Sequence, residues 1–351
     1  MSKFWSPRVR ELTPYIPGEQ PRERLIKLNT NENPYPPAPG VGAVLREFPT
    51  DHLRLYPDPG SLALREALAT VLDVPASHVF VGNGSDEVLA LAFQAFFCQP
   101  KSLATPEISY SFYPVYCNMY GIERKAYPLD DQWRVDLGAF EAESGGIIFA
   151  NPNAPTGHGH GRDAIAALLE KVTDRVVLID EAYVDFGGES AVPLTDKYSN
   201  LLVTGTFSKS RSLAGLRLGY AVGSPELIEG LTRVKDSFNS YPVDALASAV
   251  AIASLADQEH FDATRGAVIA TRERTRTRLE ALGFKVLPSQ TNFVLATHPT
   301  HDAAQIFVGL RERGILVRHF NTDALRDYLR ISIGTDDEMD SLIEVLEALC
   351  G

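Results

Sequence analysis

The feature that most constrains the fold is a set of short, almost wholly apolar runs, each stopped by a polar cluster. HVFVG (78–82) runs into NGSDE, GIIFA (146–150) into NPNAPTG, VVLID (176–180) into EAY, and LLVTGT (201–206) into FSKS. Helical patterns separate them. Leu64, Leu68, Val71 and Leu72 share a face behind Ser61, a candidate N-cap, and Val88, Leu91, Ala92, Ala95 and Phe96 share another. A further helix fits 162–171. Apolar runs alternating with helices indicate a parallel sheet buried on both faces. Ligands bind such open sheets at the carboxyl ends of the strands. The four polar clusters are therefore expected to converge on one crevice.

At 351 residues the chain is long enough for about two domains. Residues 1–42 contain LTPYIPG and LNTNENPYPPAPG, where each proline removes a donor and disfavours helix in its predecessor. They read as an extended arm across a surface, its own or another subunit's. Leu25, Ile26 and Leu28 favour a tied-down segment over a loose tail. Residues 43–245 read as the large α/β domain. Residues 246–351 read as a smaller one: a long helical stretch, then FKVLPSQTNFVLA, GILVRHF and LRISIGT, then a helix with Met339, Leu342, Leu346 and Leu349 on one face.

Lys plus Arg is 33 and Asp plus Glu 45, a net charge of −12. That disfavours non-specific binding to nucleic acid or an anionic membrane, and any anionic ligand must be met by cations gathered locally. Three scattered cysteines, Cys98, Cys117 and Cys350, form neither a disulfide framework nor a zinc site. His158 and His160, and His298 and His301, read as solvated loop residues, so no metal is expected. The N-terminus carries no secretory pattern, and no apolar run reaches the roughly 18 residues of a membrane span. The expected location is the cytoplasm. There is no Gly-x-Ser-x-Gly elbow for a serine hydrolase.

Four segments carry chemistry. Lys209 follows a strand and is flanked by serines, in a segment that is either a surface loop or a site. Lysine is the side chain that forms Schiff bases with carbonyls. Asp180 closes a buried strand, where a carboxylate is costly unless paired. It is either a structural cap or the partner of a protonated ring nitrogen, as pyridoxal phosphate (PLP) requires alongside its lysine. GNGSDE opens a helix, which makes a ready anion site. NPNAPTG is a braced Asn loop, or simply a turn.

In this order, with Arg217 eight positions after Lys209, the segments resemble the fold-type I PLP aminotransferases over nearly the whole chain. LTPY, LNTNENP, RLYPDP, DEAYVDF, TFSKSRSLAGLRLGY, TNFVLA and LRISIGT are most similar to the histidinol-phosphate aminotransferases. The resemblance implies a large domain with a mainly parallel sheet flanked by helices, and a smaller α/β domain. It implies that Lys209 carries the cofactor and moves the substrate proton, that Asp180 holds the ring nitrogen's proton, and that Tyr183 donates to the ring oxygen. The backbone amides of Ser85 and Asp86, the Ser208 hydroxyl and Arg217 would hold the cofactor phosphate. Tyr110 would stack on the ring, unless it is a core aromatic. Tyr56 would reach the site of the neighbouring subunit in a homodimer. Arg330 would grip the carboxylate of glutamate or 2-oxoglutarate and the phosphate of histidinol phosphate, aided by Tyr15 and by Arg318, which otherwise reads as a solvated strand end. Asn31 and Glu32 are candidate contacts to the imidazole end.

One departure stands out. The family's loop carries Asn before Pro-Thr-Gly as a second donor to the ring oxygen, and here that position is Ala154. Either Asn153 substitutes through a shifted loop, the favoured option, or Tyr183 acts alone.

The expected activity is transamination between L-histidinol phosphate and 2-oxoglutarate, a step of histidine biosynthesis. The alternatives are an aromatic or broad-range aminotransferase and a lyase like the threonine-phosphate decarboxylases. A transcription regulator built on an aminotransferase-like domain would need an added basic DNA-binding domain, for which the chain has no residues to spare.

Overall fold

The computed structural model describes residues 2–350. Strand β1 (Ile26–Lys27) lies in the arm. The main sheet contains β2 (Val79–Gly82), β3 (Leu103–Pro106), β4 (Arg124–Tyr127), β5 (Gly146–Ala150), β6 (Val177–Asp180), β7 (Leu201–Thr206) and β8 (Gly219–Gly223), in the order β2-β8-β7-β6-β5-β3-β4. Only β8 runs antiparallel to its neighbours β2 and β7. The ends of β3, β5, β6 and β7 therefore share one edge, where the polar clusters begin.

The apolar runs are continuous because both faces are covered. Ile148, Leu178 and Leu202 pack on one side with Val88, Leu89, Tyr113 and Leu231, from helices Gly84–Ala92, Phe112–Tyr120 and Pro225–Phe238. Ile147, Phe149, Val177, Ile179, Leu201 and Val203 pack on the other with Ile165, Leu168 and Leu169 of helix Arg162–Lys171, the span read from the sequence. Each such side chain contributes roughly 1.5–3 kcal/mol by leaving water.

Helix Leu62–Leu72 forms as expected, but Ser61 does not cap it. Ser61 has a left-handed φ of 45° and makes no capping bond. The carboxylate of Asp58 accepts from Gly60 N (2.9 Å) and Leu62 N (2.7 Å) in its place. The helical stretch after 245 is two helices, Ala245–Ala256 and Gln258–Ala281, with Asp257 capping the second through His260 N. The first packs with helices Pro39–Glu47 and Leu62–Leu72. The second sends Val268 and Leu279 into the core of the C-terminal unit.

That unit is built on β9 (Lys285–Val286), β10 (Phe293–Thr297), β12 (Arg318–His319) and β13 (Leu329–Ser332), ordered β12-β13-β10-β9. Helices Ala303–Glu312 and Asp336–Cys350 cover it. The arm is tied down. β1 pairs in parallel with β11 (Ile315–Leu316), Leu28 is 1% exposed, and Ser332 N donates to Leu28 O at 3.0 Å. No helix among the described residues is long and apolar enough to cross a membrane.

Candidate active site

Asp180 is the last residue of β6 and is 4% exposed. Its Oδ2 accepts from the Tyr113 hydroxyl at 3.0 Å, and its Oδ1 from Ala182 N at 3.2 Å and the Thr204 hydroxyl at 3.5 Å. Burial pushes its pKa up to about 6, against the pull of those donors. A carboxylate offers about four lone-pair positions, so one remains for a ring N–H.

Lys209 follows β7. Its Nζ donates to Thr30 O in the arm at 3.1 Å and stands 5.7 Å from the centre of the Tyr183 ring. The Asn33 amide holds the backbone beneath it by donating to Lys209 O and Ser210 O. Tyr183 accepts from Asn31 Nδ2 at 3.0 Å and meets Phe293 edge-on. The arm therefore touches both Lys209 and Tyr183, which explains why it is pinned.

Helix Gly84–Ala92 presents its N-terminus beside Arg217, whose Nη2 donates to the Asp86 carboxylate at 3.1 Å and whose Nη1 lies 3.5 Å from the Ser208 hydroxyl. Side chains at two glycines would close this cradle. A Cβ on Gly84, where φ is +83°, would fall 2.8 Å from Arg217 Nη2, and one on Gly219 would run into Ser85 N. Tyr110 donates to the other Asp86 oxygen at 2.9 Å.

Beside these groups opens a cleft of about 430 Å³, lined by Tyr15, Tyr110, Tyr113, Tyr183, Arg318 and Arg330 among others. Arg330 stands over Phe293 and Phe320, and its Nη2 donates to Asn29 O at 2.8 Å. Its Nε–H is enclosed and has no partner. Burial pulls its pKa down, yet a guanidinium stays charged, so an anion is the natural partner for that N–H. Among the described residues the one hydrogen bond of the Arg318 side chain is a long one to Ile16 O.

Some expected residues are not brought in. Asn153 is fully buried. Its amide donates to Ile108 O and Thr156 Oγ1, and its oxygen accepts from Ser109. With its donors committed to the loop, it does not face the cleft, whereas Ala154 lines it. Tyr183 is then the remaining hydroxyl donor of the expected pair. Tyr56, expected at a neighbouring subunit's site and not in this cleft, is 82% exposed and stacks on Tyr241. Glu32 pairs with Lys27 and Thr30 instead of lining the cleft. Asn31 is buried, and its side chain is taken up by Tyr183 and Ser332. His158 and His160 are half-buried, not solvated, and burial lowers both pKa values. The Nδ1 atoms of His298 and His301 lie 2.9 Å apart. Among the described residues no group of three or more His, Cys, Asp or Glu is placed to hold a metal.

Sequence reasoning missed Tyr113, Asn33, Phe320 and Arg124, which also lines the cleft. For Tyr113 a signal exists: it lies one helical turn beyond Tyr110. The donor set fits PLP. It supplies an amine, a buried carboxylate with one free position, a phenol, and an anion cradle formed by a helix N-terminus and an arginine.

Residues 23–346 match the model of the family described as aminotransferase class I and II. The chain belongs to this family. It is 72% identical over 350 residues to a histidinol-phosphate aminotransferase of Chromohalobacter salexigens, covering 100% of both chains. A histidinol-phosphate aminotransferase of Pseudomonas aeruginosa is 54% identical, over 99% of this chain and 100% of the relative. Among solved structures, a histidinol-phosphate aminotransferase from Sinorhizobium meliloti in complex with pyridoxal-5'-phosphate superposes with a TM-score of 0.89 at 25% identity, covering 99% of each chain. An L-threonine-O-3-phosphate decarboxylase from Porphyromonas gingivalis superposes with a TM-score of 0.79 at 25% identity, over 93% of this chain and 99% of that one.

Proposed function

We propose that this aminotransferase uses PLP to exchange an amino group between L-histidinol phosphate and 2-oxoglutarate, forming imidazole-acetol phosphate and L-glutamate in histidine biosynthesis. What supports the reading is one juxtaposition. Lys209, Asp180 and Tyr183 converge at strand ends beside a cleft that holds two arginines, Arg318 and Arg330, without an ion pair among the described residues. The 72% identity to a histidinol-phosphate aminotransferase supports the choice of substrate.

When bound, PLP supplies an electron sink for the charge left on the substrate Cα. Asp180 keeps the proton on the ring nitrogen through its free lone-pair position. Lys209 anchors the group covalently and moves the proton at Cα as base and then acid. The Tyr183 oxygen accepts from Asn31, which leaves its own proton to point at the ring oxygen. The backbone amides of Ser85 and Asp86, the Ser208 hydroxyl and Arg217 would hold the cofactor phosphate, and Tyr110 would pack on the ring. Arg330, with Arg318 and Tyr15, holds the substrate phosphate or the glutamate carboxylate and so orients Cα toward Lys209.

The working unit in this reading is a cytoplasmic homodimer in which Tyr56 contacts the other subunit's cofactor phosphate. Tyr56 is exposed and stacks on Tyr241, and Leu53 and Leu55 just before it in the chain are exposed as well. Sedimentation of the full chain should give a dimer, and Tyr56→Phe should weaken PLP binding. A monomer with full PLP affinity would refute this part.

The deciding assay uses purified protein. A visible absorbance band should disappear on borohydride reduction, and histidinol phosphate should react faster than phenylalanine or threonine phosphate. Carbon dioxide release from threonine phosphate would point to a lyase, and fast reaction with phenylalanine alone to an aromatic aminotransferase.

A further inference from the structure

Helix Phe112–Tyr120 begins two residues after Tyr110, and its first turn carries a second tyrosine. Tyr110 donates to Asp86 at 2.9 Å, and Tyr113 to Asp180 at 3.0 Å. The two rings meet edge to face with centroids 5.6 Å apart. One turn of chain therefore directs two phenols to two carboxylates, one beside Arg217 and the other at the end of β6.

Tyr113 is 1% exposed, and its ring packs near Phe93 as well as Tyr110. A phenol buried only for packing would leave its hydroxyl without a partner, at a cost. This hydroxyl has a single proton, and an ionised carboxylate can only accept, so the direction of the bond is settled. The remaining donors to Asp180, Ala182 N and Thr204, both act on Oδ1. Tyr113 is thus the one protein donor on Oδ2 among the described residues.

We propose that Tyr113 is a positioning residue for the cofactor ring: by donating to Oδ2 of Asp180 it holds that carboxylate ionised and oriented to accept the ring N–H. The inference rests on the PLP reading above. Without Tyr113, Oδ2 would keep none of the protein donors found on Asp180 among the described residues. The carboxyl would then hold its own proton more readily and turn from an acceptor into a donor. A protonated carboxyl cannot keep the ring nitrogen protonated.

The test measures binding to the apoprotein, not turnover. PLP is compared with 1-deaza-PLP, in which carbon replaces the ring nitrogen. Wild type should prefer PLP by about tenfold or more, as expected for a hydrogen bond between charged partners. In Tyr113→Phe, which removes one oxygen and keeps the ring, the preference should fall to within about threefold. In an Asp180→Asn background, adding Tyr113→Phe should change the ratio no further. A Tyr113→Phe variant that binds both ligands more weakly but keeps the wild-type ratio would overturn the proposal, because it would show a packing role alone. If Tyr113→Phe does not fold, Thr204→Val removes another donor to the same carboxylate and should lower the ratio by a smaller factor. An unchanged ratio there also counts against it. An apoprotein with no affinity for PLP would refute the underlying cofactor reading instead.

Discussion

Arg318 and Arg330 are registered partners across the antiparallel strands β12 and β13, and both guanidinium groups stand over the ring of Phe320, at 5.4 and 5.5 Å. Like charges directly opposite on a sheet are destabilising, and neither arginine makes an ion pair among the described residues. The arrangement is favourable once an anion lies between them. Arg330→Ala should lower kcat/KM for both the phosphorylated amine and glutamate by roughly 100-fold or more, because a desolvated charge contact costs 2–5 kcal/mol to truncate. Arg318→Ala should affect histidinol phosphate by about tenfold and glutamate little, without lowering the thermal stability of the apoprotein. Steady-state kinetics with each substrate decides. Equal losses for both substrates in Arg318→Ala would exclude a phosphate-selective role.

Lys209 has its backbone clamped by Asn33 and its Nζ held by Thr30 O. Lys209→Ala should abolish covalent attachment and slow turnover by roughly ten-thousand-fold, the upper range for loss of a general acid-base group. Borohydride treatment followed by mass spectrometry should show added cofactor mass on wild type and none on the variant. Turnover retained in Lys209→Ala would remove the catalytic assignment altogether.

The strands were readable because burial on both faces leaves an uninterrupted apolar run, and Asp180 and Lys209 stood out because the two together, each at the end of such a run, point one way where each alone leaves a cap or a loop open. What sequence could not show depends on where side chains turn. Tyr113 meets Asp180 across 67 positions of chain, so its place one turn beyond Tyr110 could mark the residue but not its partner. Asn153 looks like a donor available to a ligand, but three neighbouring groups take its amide. The half-burial of His158 and His160 follows from loop packing that no spacing rule encodes. The Ser61 cap failed for a backbone reason: at a left-handed φ the serine made no capping bond, and Asp58, three residues earlier, accepts the helix's first N–H.

That substitution of caps is itself testable. Asp58→Ala should destabilise the apoprotein by about 1 kcal/mol, as loss of an N-cap carboxylate does, whereas Ser61→Ala should stay well below that. Denaturant titration of both variants distinguishes them. A larger loss in Ser61→Ala would reverse the assignment.

Glu181 follows Asp180 and points to the Ala191 amide and the Ser190 hydroxyl, each at 2.6 Å, yet burial still pushes its pKa up to about 8 from an ordinary 4.5. The folded protein therefore holds a proton that the unfolded chain releases. Where the native state binds more protons, stability falls as pH rises. The contribution is fully present below pH 4.5 and is lost as pH climbs through about 8. Asp180 acts in the same direction over a lower window, from 3.8 to about 6. The apoprotein should accordingly lose a few kcal/mol of stability between about pH 5 and pH 8 through Glu181. In Glu181→Gln the group cannot ionise, and the Ser190 hydroxyl can rotate to accept from the new amide. Its stability should decline less over that range, so that variant and wild type diverge as pH rises. Denaturant titrations of the apoprotein across that range measure this, and parallel curves for the two proteins would show that Glu181 does not titrate there.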